Sequence, residues 1–341
     1  MTEEILFQRI GRIGLATLNR PQALNALNRA MCGAYHRQLL DWSLDPDIAA
    51  IVIEGAGDRA FCAGGDIRAL HDAGKAGSSE WEGFFFDEYR MNQAISACAK
   101  PHVALIDGIT MGGGVGLSIH GTYRVATERT RFAMPETGIG LIPDVGGTHA
   151  LSRLPGEIGV WLALTGARLD AADCRTAGIA THHVPSAELE LLKERLANSH
   201  EPVAEVLATF DAAPGPDTLS ALRDGIDFHF SHDSVEDILL SLDEGDDWAM
   251  AQAATIRAMS PTSLKLSLHG VLAARGGTIE EALRREYRMV SGIKGGHDFY
   301  EGVRATLIDK DRKPVWRPAR LEDVDLAPYL AAPAWGDLTF D

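Results

Sequence analysis

Two carboxylates stand eight positions apart in an apolar, glycine- and proline-rich stretch, Met134-Pro135-Glu136-Thr137-Gly138-Ile139-Gly140-Leu141-Ile142-Pro143-Asp144-Val145-Gly146-Gly147. Ionised side chains are costly to bury unless paired or used, so Glu136 and Asp144 are candidates for a general base and a substrate anchor. The bland alternative has Asp144 capping a helix that starts at Val145 while Glu136 pairs with an arginine. Two glycine clusters offer a second kind of chemistry. Ala60-Phe61-Cys62-Ala63-Gly64-Gly65-Asp66-Ile67-Arg68 runs from a strand end into a helix, and Gly112-Gly113-Gly114-Val115-Gly116 leads into Leu117-Ser118-Ile119-His120. Glycine admits a ligand close to main-chain N–H groups, and a helix start presents unpaired N–H groups at the positive end of a dipole. Two such loops can supply the pair of donors of an oxyanion hole. For the first loop, a plain strand-to-helix turn with Asp66 as N-cap competes with that reading.

Other chemistries find no matching spacing. GxGxxG does not align on the glycine run, because the sixth position is Leu117 counted from Gly112 and Ile119 counted from Gly114. Ser118 is followed by Ile119-His120, which breaks the GxSxG elbow. His182-His183 lacks an HExxH context, and no GxxxxGK[ST] string occurs. Cys32, Cys62, Cys98 and Cys174 stand far apart without a CxxC pair, so they read as reduced and buried rather than as a disulfide framework or zinc knuckle.

The elements that must position these residues alternate in the first half of the chain. Ile13 to Leu18, Ile48 to Glu54, His102 to Ile106 and Tyr123 to Thr127 read as strands, with helices over Asn28 to Leu44 and Trp81 to Ala99. That alternation predicts an α/β core in which helices cover a sheet. Beyond about Gly156 helical periodicity dominates, over Glu157 to Thr165, Ala171 to Ala177, Ser186 to Asn198 and Asp246 to Met259. Ser260-Pro261-Thr262 marks a helix start, Ala212 to Pro216 a linker, and the acidic stretch Asp233 to Asp247 a solvated helix face.

The chain has 341 residues and a formal charge of −16, the wrong sign for gripping nucleic acid or an anionic membrane through a long-range field. No apolar run approaches the roughly 20 residues of a membrane span, and the start, MTEEILFQRIGRIG, lacks the order of a signal peptide. These features predict a cytoplasmic protein.

The segments resemble the crotonase (enoyl-CoA hydratase/isomerase) superfamily, and most closely its 3-hydroxyisobutyryl-CoA hydrolase branch. The match includes Asn19-Arg20-Pro21 with Leu24-Asn25-Ala26-Leu27, then Ala60 to Arg68, Lys100-Pro101, and Ile106 to Ser118. It continues through Arg131 to Gly147, Ala163-Leu164-Thr165-Gly166 and Ala177 to His182. The tail piece Gly296 to Ala305 with Leu307-Ile308-Asp309-Lys310-Asp311 is similar to the hydrolase branch in particular. Similarity fades between about Ser199 and Asp247, and Thr148 stands where the branch more often has a third glycine.

The resemblance implies a core of stacked ββα turns over residues 1–198 and a mainly helical C-terminal region over residues 199–341. It implies an oxyanion hole from the amides of Gly65 and Gly113 around an acyl-CoA thioester. One hydratase glutamate matches Gly116 and is missing here, the second matches Glu136, and Asp144 replaces a usual glycine. One carboxylate lost and one gained points from hydration to hydrolysis of a short 3-hydroxyacyl-CoA, 3-hydroxyisobutyryl-CoA of valine breakdown above all. Glu136 would attack the thioester or activate water, Asp144 would bind the substrate hydroxyl, and Glu88 matches a further substrate-contacting acid. An exposed helix-face role for Glu88 stays open. The resemblance implies no metal or prosthetic group and allows a homo-oligomer. The competing functions are an enoyl-CoA hydratase or isomerase working with Glu136 alone, and an acyl-CoA-binding protein without catalysis.

Overall fold

The computed structural model describes residues 3–340. Among the described residues there are nine strands: β1 (Ile5–Ile10), β2 (Ile13–Leu18), β3 (Ala50–Gly55), β4 (Ala60–Cys62), β5 (His102–Ile106), β6 (Ile109–Met111), β7 (Tyr123–Ala126), β8 (Arg131–Ala133) and β9 (His182–His183). They form a larger sheet in the order β1-β2-β3-β5-β7-β9 and a smaller one in the order β4-β6-β8. This is the α/β fold with a helical C-terminal region that the sequence predicts. The chain divides into two compact units, each drawing residues from both sides of position 198.

The first unit runs through Gly65 and includes Arg90–Phe132 and Arg168–Ser220. Here β1 and β2 make an antiparallel pair, with Ile5 opposite Leu18 and Ile10 opposite Ile13. From β2 onward the larger sheet is parallel, with Ile13 beside Ala50 and Ile51 beside His102. Parallel neighbours need crossovers, and the helix Arg29–Leu44 supplies the one between β2 and β3. It starts where Asn28 accepts a hydrogen bond from the Met31 N–H at 3.0 Å. All five residues of β5 are buried, as in a parallel strand covered on both faces. Ile13, Leu15, Val52, Val103, Leu105 and Val125 pack with Leu192, Leu196, Val206 and Leu207 of two covering helices, Leu189–Asn198 and Val203–Phe210.

The second unit comprises Asp66–Tyr89, Ala133–Ala167 and Ala221–Asp341. Its helices begin on the expected signals. Ser260 accepts from the Ser263 N–H at 3.1 Å with Pro261 in the first turn, opening Pro261–Ala274. Thr278 and Glu281 close a reciprocal capping box that opens Ile279–Lys294. Trp81, on the helix Glu80–Ala97, is buried against Phe299 with ring centroids 4.9 Å apart in an edge-to-face contact. Its indole N–H donates to the Val290 carbonyl at 3.2 Å. Two turns further along the same helix, Tyr89 meets Phe85 and Tyr287 edge to face. Among the described residues no helix is long and apolar enough to cross a membrane.

Candidate active site

In the first unit the two glycine loops lie side by side. The loop before them is pinned by Asn25, fully buried, whose amide donates to the carbonyls of Ala56 and Ala60 at 2.9 Å and accepts from the Arg20 N–H at 3.0 Å. Leu27 N–H then holds the Gly64 carbonyl at 2.8 Å. A Cβ placed on Gly64, whose φ is +114°, would stand 3.9 Å from the Gly113 nitrogen. Gly113 is the first residue of the helix Gly113–Ile119, so its N–H has no acceptor within the helix. A Cβ on Gly114 would strike the Cys62 carbonyl at 2.3 Å, so glycine there is what lets the helix approach β4. Gly116, where a hydratase carboxylate would stand, is a buried residue of the same helix.

In the second unit three buried acids gather within electrostatic reach of a fourth, Asp144. Glu88 is 2% exposed, Glu136 6%, Asp144 4% and Glu286 0%. Glu136 begins a short 3-10 helix, Glu136–Ile139, and its Oε2 is buried without a hydrogen-bond partner, as is Oε1 of Glu88. Asp144 accepts a hydrogen bond from the Tyr89 hydroxyl at 2.7 Å. Burial, opposed by that bond, raises the Asp144 carboxyl to about 7. Burial and then the Asp144 charge push Glu88 and Glu136 well above the usual carboxylate range. Burial likewise raises Glu286 to about 8, against hydrogen bonds from Thr148 and Gly146 and with the Asp144 charge adding to the rise. Like charges this close share protons rather than all ionise. Such a cluster can hold and exchange a proton near neutral pH, which general acid and base chemistry requires.

The competing readings of these residues are resolved here. The helix after Asp144 is Gly147–Leu151 with Gly146 as its N-cap residue, so the Asp144 side chain faces Tyr89 instead of capping. Burial and Asp144 set the ionisation of Glu136, not an arginine. Glu88 is not an exposed helix-face residue. Asp66 does cap the helix Ile67–Lys75, accepting from the Ala69 N–H at 3.2 Å, a role compatible with a free Gly65 amide. Sequence reasoning missed Tyr89 and Glu286. Tyr89 adjoins a candidate acid, which was a usable signal, whereas Glu286 reaches the site from 138 residues beyond Thr148 with no local mark.

The family model described as Enoyl-CoA hydratase/isomerase matches residues 13–330. The chain belongs to the crotonase superfamily. A crotonase-superfamily relative from Rattus norvegicus, named 3-hydroxyisobutyryl-CoA hydrolase, mitochondrial, is 51% identical over 99% of this chain and 91% of its own length. Two solved crotonase structures superpose closely. One is described as a carnitinyl-CoA dehydratase from Mycobacterium thermoresistibile, 40% identical with a TM-score of 0.94, covering 100% of this chain and 99% of that one. The other is described as an enoyl-CoA hydratase from Rhodobacter sphaeroides 2.4.1, 42% identical with a TM-score of 0.91, covering 99% and 100%.

The cytoplasmic location expected from the sequence is overturned by these relatives. The rat protein and further relatives at 47% to 50% identity are named as mitochondrial. The expectation rested on the absence of a secretory pattern and on composition. Mitochondrial import uses a different signal, and composition does not separate one aqueous compartment from another.

Proposed function

We propose that this crotonase-superfamily enzyme, which acts on acyl-CoA thioesters, hydrolyses a short 3-hydroxyacyl-CoA. The substrate we assign is 3-hydroxyisobutyryl-CoA, with 3-hydroxyisobutyrate and CoA as products, a step of valine breakdown. The observation that carries the reading is the buried Glu136 and Asp144 pair, in which burial and the Asp144 charge push the Glu136 carboxyl up, beside a chain that has Gly116 where hydration would want a second glutamate. The 51% identity to a protein named as that hydrolase supports it.

In this reading the Gly65 and Gly113 amides bind the thioester oxygen and stabilise the negative charge that develops there. Glu136 supplies the electron pair, directly to the thioester carbon or through a water it deprotonates. The carbon–sulfur bond then breaks and CoA leaves as the thiol after taking up a proton; on the direct route a water then cleaves the anhydride formed with Glu136, which releases the acid and restores the carboxylate. Asp144 accepts a hydrogen bond from the 3-hydroxyl, and Glu88 adds a second acid to the acyl pocket. Acyl groups without the hydroxyl leave a buried carboxylate, already bound by the Tyr89 hydroxyl, with one donor fewer and are disfavoured.

The rival reading is a hydratase or dehydratase, favoured by the descriptions of the two solved relatives. Purified protein is incubated with 3-hydroxyisobutyryl-CoA and with crotonyl-CoA in the presence of a thiol reagent. Thiol release from the first supports hydrolysis. Loss of the crotonyl double bond without thiol release overturns it, and acyl-CoA binding without turnover of either ester points to a binding protein.

A further inference from the structure

The turn that carries Asp144 is strained and externally tethered. Val145 has φ +56°, in the left-handed region that a β-branched residue rarely enters, and Gly146 follows at φ +75°. The tether comes from Glu286 on the helix Ile279–Lys294. Its Oε2 accepts from the Gly146 N–H at 2.7 Å, and its Oε1 accepts from the Thr148 N–H at 3.0 Å and from the Thr148 hydroxyl. A left-handed residue followed by a right-handed one, here Gly146 and the helical Gly147, turns backbone N–H groups toward one side and makes a concave anion seat. Here the seat is filled by a side chain of the same unit.

This carboxylate has no part in the reaction proposed above, and it is fully buried within electrostatic reach of Asp144. A second acid beside a working acid is unfavourable unless its position does something a neutral packing residue cannot. Three convergent donors on the C-terminal side of Asp144 identify that task. We propose that Glu286 is a positioning residue for Asp144: by holding Gly146 and Thr148 it fixes the backbone from which the Asp144 carboxylate projects toward the substrate hydroxyl. The inference rests on the assignment of Asp144 to that hydroxyl. It also gives Thr148, which departs from the branch's usual glycine, a use as the hydroxyl that completes the seat.

The test compares 3-hydroxyisobutyryl-CoA with isobutyryl-CoA, the same ester lacking the hydroxyl, read as substrate or as competitive inhibitor. Glu286→Gln keeps shape but turns an amide toward the Thr148 N–H, and Thr148→Val removes only the hydroxyl. Each is expected to lower kcat/KM for the hydroxylated ester about 10-fold while changing isobutyryl-CoA less than about 2-fold, as a sub-ångström misplacement of one group would. Thr148→Ser should restore the activity that Thr148→Val loses. In an Asp144→Asn background Glu286→Gln should have no further effect on kcat/KM, while its effect on Tm persists. Equal losses on both esters, or full additivity with Asp144→Asn, overturn the positioning role. If Asp144→Asn alone leaves hydroxyacyl turnover unchanged, the functional reading of Asp144 fails instead.

Discussion

The Tyr89 hydroxyl donates to the Asp144 carboxylate at 2.7 Å, and both residues are buried. The bond holds one carboxylate oxygen in a fixed direction from the side-chain end, while the Gly146 and Thr148 amides are held from the backbone end. Asp144 is also the group whose charge raises Glu88, Glu136, Glu286 and Tyr89 alike. A change at Asp144 therefore propagates to every titratable group named in the second unit's acid cluster.

Replacing Tyr89 with phenylalanine removes the hydrogen bond and keeps the ring, whose edge-to-face contacts with Phe85 and Tyr287 remain. Since the bond lowers the Asp144 pKa, its loss raises that pKa further. The limb of the kcat/KM pH profile that reports Asp144 should move to higher pH, with about a 10-fold loss at neutral pH and about 1–3 kcal/mol of stability lost with the buried bond. A profile superposable on that of the unmodified enzyme would remove Tyr89 from the site.

Glu136→Gln should lower kcat by at least about 100-fold, because the amide can neither attack nor take a proton. Asp144→Asn should separate substrates instead, costing far more with 3-hydroxyisobutyryl-CoA than with isobutyryl-CoA. Steady-state kinetics on both esters checks the pair. Equal loss on both esters in Asp144→Asn would contradict its assignment to the hydroxyl.

The acid cluster also predicts how stability depends on pH. Asp144 at about 7 and Glu286 at about 8 lie above their unfolded values, so between roughly pH 4 and pH 8 the folded chain holds protons that the unfolded chain has released. Stability then falls as pH rises through that window, with these groups fully protonated and unpenalised below their unfolded values. Asp144→Asn cannot ionise and still offers an oxygen to Tyr89. Its stability relative to the unmodified enzyme should improve by a few kcal/mol, on the order of the linkage for several pKa units, between pH 5 and pH 8. Urea unfolding at the two pH values measures this, and a difference independent of pH would mean that Asp144 is ionised throughout.

Much of this was legible in the sequence where the signal is local. The strands Ile13–Leu18 and His102–Ile106 are found with the expected bounds, because continuous apolar runs bounded by turn residues need no distant partner to be read. The two-residue β9 and the three-residue β6 and β8 were not read, since stretches so short carry no periodicity and exist only through pairing with neighbours. The helix expected over Ser186 to Asn198 divides into a 3-10 turn, Ser186–Glu188, and the helix Leu189–Asn198. Glu136 and Asp144 stood out because acids are rare in an apolar run. Glu286 sits in Glu280-Glu281-Ala282-Leu283-Arg284-Arg285-Glu286, an ordinary charged helix in sequence, and only tertiary packing makes it a buried ligand of two amides.

That packing supplies a last prediction, at a residue far from any motif. A Cβ on Gly270, in the helix Pro261–Ala274, would stand 2.8 Å from the Thr148 Cγ2. Thr148 is β-branched and bound through its hydroxyl and its N–H to Glu286, so it cannot swing away without releasing that seat. Gly270→Ala should therefore destabilise the protein by about 1–3 kcal/mol, the usual range for overpacking, despite the helix propensity gained. Thr148→Ser deletes the obstructing methyl and keeps the hydroxyl. In that background Gly270→Ala should turn neutral or stabilising by up to about 1 kcal/mol, a reversal of sign that a double-mutant cycle in urea measures directly. Additive effects would show that the clash is relieved by movement of the helix and not borne by Thr148.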